Sequence, residues 1–191
     1  MLASGSPRRA DLLGRLGLEF DVEPAVVDET RLPDEPAAVY VERLARSKAL
    51  AVGGDNTVVV GADTAVVHAG HVLGKPGHPE EARSMLRRLQ GDVHEVFTGV
   101  AVAVPDEAVS LVDVTEVRFL PMTEEEIAGY VAGGEPMDKA GAYALQGQGG
   151  LFVDSITGNP FTVVGLPIHL LPRLMARLDI DLQGFARDRP V

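Results

Sequence analysis

The sequence predicts an α/β protein built on one mixed, twisted sheet flanked by helices. Three observations carry this. Stretches with helical apolar spacing, such as Leu12, Leu13 and Leu16, interleave with β-branched runs such as Val58-Val59-Val60. The two longest strand candidates, residues 93–104 and 110–119, are parted only by a turn around Pro105-Asp106-Glu107, which favours an antiparallel pair. Helices and strands do not alternate strictly, so a doubly wound parallel sheet is disfavoured.

Taken in order, Met1-Leu2-Ala3 is a short apolar start that runs into the small-residue turn Ser4-Gly5-Ser6. Ser6 is placed to cap a helix that opens at Pro7, carries Leu12, Leu13 and Leu16 on one face, and ends at Gly17. Residues 18–22 are predicted as a second strand. Residues 35–51 are predicted as a helix with Val39, Leu44 and Leu50 among its apolar positions. The run from Val58 to Asp63 ends in small residues and an acid and suits a buried strand. Ala65 to Val67 continues it, and Ala69-Gly70-His71 turns the chain back. Residues 78–90 form a helix with Pro79 at its start and Met85, Leu86 and Leu89 inward. Beyond the two long strands, Thr123 opens a helix with Glu124, Glu125 and Glu126 in its first turn, and Gly133-Gly134 stops it. After the glycine-rich residues 141–150 come a strand near 151–156, a turn at Thr157-Gly158-Asn159-Pro160, a strand at 161–164 and a last helix from Pro167 to about 178. The tail after about residue 179 is expected to be loose.

Composition narrows the function. A chain of 191 residues makes one domain, or two small lobes around one site, and no linker divides it. With 46% hydrophobic and 24% charged residues it is an ordinary globular sequence. Its 17 basic against 28 acidic side chains leave a net charge of −11, which disfavours nucleic acid and anionic membranes as partners. A small polyanion is not disfavoured, since a few cations can converge in one site on an acidic molecule. The chain has no cysteine, which excludes disulfides, thiolate metal sites and a cysteine nucleophile. No apolar run reaches membrane-span length and no basic-then-apolar leader is seen, so the cytoplasm is the expected location.

Four islands carry candidate chemistry. In Ser4-Gly5-Ser6-Pro7-Arg8-Arg9, a small-residue turn feeding a helix start offers backbone N–H groups and a positive dipole end, with two bidentate phosphate donors beside it. A capped helix with two solvated arginines would look the same. In Gly61-Ala62-Asp63-Thr64, an acid ends an apolar strand, where burial is costly unless the carboxylate is paired or works as a base or metal ligand; an Asp capping its own turn is the alternative. Gly74-Lys75-Pro76 lacks the spacing and the Ser or Thr of a P-loop, so Lys75 is either a point charge for a phosphate or a surface lysine. In the stretch Asp138-Lys139-Ala140-Gly141-Ala142-Tyr143-Ala144-Leu145-Gln146, glycine permits close approach to a ligand, and the amide of Gln146 both donates and accepts, which suits a base edge. A flexible turn is the alternative. Glu29 sits in a polar loop, where it is either a surface acid or shares a hard cation with Asp63. The five histidines show no metal-ligand spacing; His94 and His169 are read as structural and the others as exposed. No Gly-x-Ser-x-Gly elbow supports a serine triad.

In order and spacing these islands, together with Val164-Gly165-Leu166-Pro167, resemble the Maf family of nucleotide pyrophosphatases over residues 2 to about 171. The resemblance implies a mixed sheet with two lobes around a central cleft, similar to inosine triphosphate pyrophosphatases. It implies hydrolysis of a nucleoside triphosphate between the α and β phosphates, a divalent cation (Mg or Mn), frequent homodimers, and a link to division arrest and nucleotide-pool housecleaning. Within the family the dTTP/UTP branch carries Arg, Thr and Gln at three positions, matched here by Arg8, Thr64 and Gln146. The 7-methyl-GTP branch carries Trp, Gln and Glu there. The expected substrates are therefore dTTP and UTP. The expected site has Asp63 as catalytic base, Glu29 and Asp63 as metal ligands, and Ser4, Arg8, Arg9, Lys48, Thr64, Lys75, Lys139 and Gln146 around the substrate. Lys48, in Arg46-Ser47-Lys48-Ala49, enters this set through the resemblance alone. Only Met1 precedes Leu2, so either the first strand is short or the true start lies upstream.

Overall fold

The structure is a computed structural model and describes residues 1–186. Its helices are α1 (Pro7–Arg15), α2 (Ala37–Leu50), α3 (Pro79–Leu89), α4 (Glu124–Ala132), α5 (Pro160–Val164) and α6 (Leu171–Ala176). Its strands are β1 (Val59–His68), β2 (His71–Leu73), β3 (Val93–Val104), β4 (Glu107–Phe119) and β5 (Val153–Thr157). They form one five-stranded sheet in the order β2-β1-β3-β4-β5. β1 pairs antiparallel with β2, and β4 with β5. Only Pro105 and Asp106 join β3 to β4, a connection that permits an antiparallel hairpin alone. Leu2 adds parallel bridges to Val22 and Val60, which makes the pairing mixed, as predicted.

Local chemistry explains most boundaries. α1 starts at Pro7 after Ser6 and ends where Gly17 takes φ 74°. The β1–β2 turn needs left-handed backbone at Ala69 and Gly70 (φ 49° and 77°), the signature of a tight hairpin turn. His78 caps α3 by accepting the Glu81 N–H on its ring. α4 has a full capping box between Thr123 and Glu126.

The chain forms two compact units. One comprises residues 1–63, 98–113 and 165–191, the other residues 64–97 and 114–164. In the first, a small-residue core gathers Ala3, Ala45, Ala49, Val59, Ala101 and Ala103. There α2 lies on the sheet backbone itself: a Cβ on Gly61 would stand 2.3 Å from the Ala45 carbonyl oxygen, and one on Gly99 2.4 Å from that of Val41. In the second unit, Leu86, Leu89 and Met85 of α3 and Ile127 and Tyr130 of α4 pack on Val96, Val117 and Phe119 of the sheet. Arg87 forks onto both carboxylate oxygens of Glu124 and joins α3 to α4.

The structure departs from the sequence reading in several places. Residues 161–164 are helical. Their β-branched side chains favour a strand, but the Asn159 side chain accepts the Phe161 N–H (2.9 Å), the Asn159 carbonyl accepts the Thr162 N–H, and Pro160 presets the first turn. Thr115 on β4 exchanges hydrogen bonds with the Asn159 backbone and fixes this start. Residues 18–22 form only isolated bridges, because Leu2 offers one parallel partner and Leu18 meets Ala186. On α2, Val39 and Leu50 face solvent; the buried face is Val41, Leu44, Ala45, Lys48 and Ala49. The loose tail expected after about residue 179 falls in part on residues 187–191, outside the described residues. Up to Ala186 the chain is held by a 3₁₀ turn (Leu182–Phe185) capped by Asp181 and by the Phe185 carbonyl accepting the Glu19 N–H.

The contact at Gly61 has a measurable consequence. Both nearest atoms are backbone, so Gly61→Ala should lower stability by about 1–3 kcal/mol in urea denaturation, the usual cost of overpacking. Gly14 lies inside α1, and a Cβ added there would meet no atom within 4 Å, so Gly14→Ala should raise stability by about 0.5–1 kcal/mol.

Candidate active site

In the first unit, the close seat of α2 on β1 brings Lys48 to Asp63. The Lys48 Nζ stands 2.7 Å from Asp63 Oδ1 and 2.6 Å from Glu29 Oε1. Lys48 and Asp63 are buried, while Glu29 is about half open to solvent. Burial pushes the Asp63 carboxyl above its ordinary value; Lys48 and Arg9 oppose this and Glu29 adds to it. Beside this group, Arg9 donates from Nη1 to Ser4 Oγ (2.9 Å) and from Nε to the Gly165 carbonyl (2.7 Å). Burial lowers the Arg9 guanidinium below its ordinary value, and the charge of Asp63 acts against that. The Ser4 hydroxyl also accepts the Ser6 N–H, while the Ser6 side chain makes no cap of its own. Arg8 is half-buried in the first turn of α1.

Ser4, Arg9, Glu29, Lys48 and Asp63 are thus brought together, as expected of a site. Three residues that the sequence reading missed hold Glu29 there. The Tyr40 hydroxyl donates to the Glu29 carbonyl (3.0 Å), and Arg43 donates to the Thr30 carbonyl (3.1 Å). Arg43 also forks onto the buried Glu35 carboxylate at 2.7 and 2.8 Å, and the Leu32 N–H donates to Glu35. Tyr40 and Arg43 share α2 with Lys48, three residues apart, and that spacing on one helix was the available signal.

In the second unit, Thr64 is half-buried on β1. Lys75 is exposed, and the Gly74 carbonyl before it accepts the Gly141 N–H (3.1 Å). Gly141 has φ 68° and a Cβ there would stand 2.9 Å from the Val66 side chain, so only glycine fits. The Lys139 ammonium donates to the Glu135 carbonyl (2.9 Å) and pairs with Asp138. Gln146 is exposed.

Of the two histidines read as structural, His94 is and His169 is not. His94 is buried edge-on to Phe119 and Tyr143, with a ring nitrogen 2.9 Å from the Tyr143 hydroxyl. Burial pushes it down to about 4, so it is neutral at physiological pH. His68 is partly buried against Asp92 (3.0 Å) rather than exposed, because its place on β1 faces the turn before β3. His169 is exposed, 3.9 Å from Asp113. Among the described residues no three His, Asp or Glu cluster as a metal cage.

Two carboxylates meeting one cationic point, beside a partly buried arginine and a helix start, form a group suited to a phosphorylated ligand and a hard cation. A family model described as "Maf-like protein" matches residues 1–178. A dTTP/UTP pyrophosphatase of Anaeromyxobacter dehalogenans (strain 2CP-C) is 52% identical over 186 residues, covering 95% of each chain. A dTTP/UTP pyrophosphatase of Bacillus cereus (strain AH820) is 46% identical over 184 residues, covering 95% of this chain and 96% of that one. The chain belongs to the Maf family. Among the described residues, no helix is long and apolar enough to cross a membrane.

Glu35 gives a pH test of the loop that carries Glu29. The hydrogen bond from Arg43 outweighs burial and holds its carboxyl down at about 2, against an ordinary value of 4.5. A carboxyl lowered on folding stabilises fully above its unfolded value and loses that contribution as pH falls through the folded one. Wild-type denaturation midpoints should therefore fall between pH 4.5 and about 2, and Glu35→Gln should flatten that part of the profile while lowering stability at neutral pH.

Proposed function

We propose that this chain is a nucleoside triphosphate pyrophosphatase that hydrolyses dTTP and UTP to the monophosphate and pyrophosphate. The observation that carries the chemistry is the buried Asp63 carboxylate, raised in basicity and held by Lys48 beside Glu29. The substrate assignment is supported by the relatives' names and by Arg8, Thr64 and Gln146, the residues that the dTTP/UTP branch carries.

Asp63 takes the proton of a water as its oxygen attacks the α-phosphorus in line. The bond from that phosphorus to the oxygen bridging to the β-phosphorus breaks, and pyrophosphate leaves. Lys48, Arg8 and Arg9 meet the charge of the phosphates in the first unit, with Ser4 orienting Arg9. Lys75, Thr64 and Gln146 enter the substrate set through the family resemblance, Lys75 toward phosphate and Thr64 and Gln146 toward the base. Lys139 is already committed to Glu135 and Asp138, so its contribution to the substrate is the weakest of the set.

The carboxylates fit a divalent cation. Oxygens of Glu29 and Asp63 both lie within 2.7 Å of the Lys48 ammonium, so the two carboxylates stand close enough to share one cation once Lys48 turns to the phosphates. Mg²⁺ or Mn²⁺ is usually held by one or two carboxylates plus water and phosphate oxygens. Bound there, the cation would neutralise phosphate charge. A homodimer working in the cytoplasm is the setting that the family resemblance supports.

Pyrophosphate release from a panel of nucleoside triphosphates with Mg²⁺ or Mn²⁺ tests this. dTTP and UTP should be the preferred substrates, and Asp63→Asn should lower kcat by at least ~10²-fold, the scale of a general base. Preference for 7-methyl-GTP would reject the substrate assignment. Binding without turnover would point to a nucleotide sensor, and near-normal turnover by Asp63→Asn would remove it as the base.

A further inference from the structure

The glycine-rich residues 141–150 are held by one carboxylate. Glu135 opens the 3₁₀ turn Glu135–Asp138 just after α4. Its Oε1 accepts hydrogen bonds from the Tyr130 hydroxyl (2.8 Å) and the Gly149 N–H (3.1 Å), and its Oε2 accepts the Gln148 N–H (3.0 Å). The Tyr130 hydroxyl in turn accepts the Ala144 N–H (3.2 Å). The backbone is therefore tied on both sides of the exposed Gln146: at Ala144 through Tyr130, and at Gln148 and Gly149 through Glu135.

The glycines of this stretch fit that clamp. A Cβ on Gly147 would stand 2.3 Å from a Glu135 carboxylate oxygen, and one on Gly149 2.6 Å from the Tyr130 hydroxyl. Tyr130 is buried on α4 and packs edge-on to Phe152, and Lys139 donates to the Glu135 carbonyl from the other end of the turn. Burial opposes ionisation of Glu135, but the two backbone N–H groups, the Tyr130 hydroxyl and Lys139 outweigh it and hold the carboxyl below its ordinary value.

We propose that Glu135 is a positioning residue for base recognition: with Tyr130 it fixes the backbone around Gln146 so that the Gln146 amide meets the pyrimidine in one orientation. This rests on the reading of Gln146 as the base-contacting residue. An amide offers a donor and an acceptor side by side, and it discriminates between bases only where the backbone sets it within hydrogen-bond reach of the base edge. A mobile loop would also lose part of its binding free energy in ordering itself.

The test compares wild type, Glu135→Gln, Gln146→Ala and the double variant in kcat/KM for dTTP and dCTP. Glu135→Gln keeps one acceptor oxygen and sets an NH₂ group against a backbone N–H. Each single variant should lower the dTTP-to-dCTP ratio by about tenfold or more, through a raised KM for dTTP, with kcat held within about threefold. The double variant should fall no further than Gln146→Ala, since the two residues act through one contact. Tyr130→Phe, which removes only the hydroxyl, should reproduce the loss and covers the case in which Glu135→Gln does not fold. Without substrate, hydrogen exchange at the Gln148 and Gly149 amides should quicken in Glu135→Gln while α4 keeps its protection.

Additive losses, a fall in kcat with the ratio intact, or unaltered exchange at Gln148 and Gly149 would overturn the role of Glu135. If Gln146→Ala collapses the ratio and Glu135→Gln does not, this inference fails alone. If Gln146→Ala leaves the ratio unchanged, the base-contact reading fails and takes this inference with it.

Discussion

The ammonium of Lys48 meets the buried carboxylate of Asp63 because at Gly61 the backbone of α2 comes up directly against that of β1. Gly61 admits the Ala45 carbonyl and the Ala49 amide, and Gly99 admits the helix one turn earlier. A helix spaced off by ordinary side chains would carry Lys48 too far out to reach Asp63, and a buried carboxylate without its partner would be costly. The same seat sets the positions of Tyr40 and Arg43, which tie down the loop bearing Glu29. Packing at a glycine thus fixes where charge sits in the first unit, and charge fixes what the unit can do.

Much of the fold was legible because local chemistry agreed with it. Proline and capping residues mark the starts of α1, α3 and α4, and β-branched runs mark β1 and β3. The reading failed where a side chain or a distant segment overrode propensity. Residues 161–164 look like a strand until the Asn159 side chain and Thr115 are seen to hold a helical turn. On α2, apolar content pointed to Val39, Leu44 and Leu50; Leu44 is buried, but Val39 and Leu50 face solvent and the rest of the buried face is Val41, Ala45, Lys48 and Ala49. Asp63 stood out because an acid at the end of an apolar strand is unusual. Lys48 did not, since a lysine in a helix ordinarily faces water; only the family resemblance singled it out.

Two acids outside the α-helices and strands organise loops. Glu35 gathers Arg43 and the Leu32 N–H below the segment that carries Glu29. Glu135 gathers Tyr130 and the amides of Gln148 and Gly149 next to Gln146. Each carboxylate joins a helix side chain to backbone N–H groups outside the strands, so it does the work a strand partner would do elsewhere. Neither is visible from spacing, because the backbone N–H groups it accepts lie in segments whose direction the sequence does not state.

The crowding around Gly61, Gly99, Gly147 and Gly149 also bears on how this sequence can change over time. Replacing a leucine in a core by another aliphatic residue is a small step with many destinations. Any replacement at these glycines adds at least one carbon where a carbonyl, an amide, a carboxylate or a hydroxyl already stands. Such positions have no near neighbours in sequence space. An exposed side chain such as that of Gln146 faces no such limit, so the backbone that presents it tolerates less change than the residue itself.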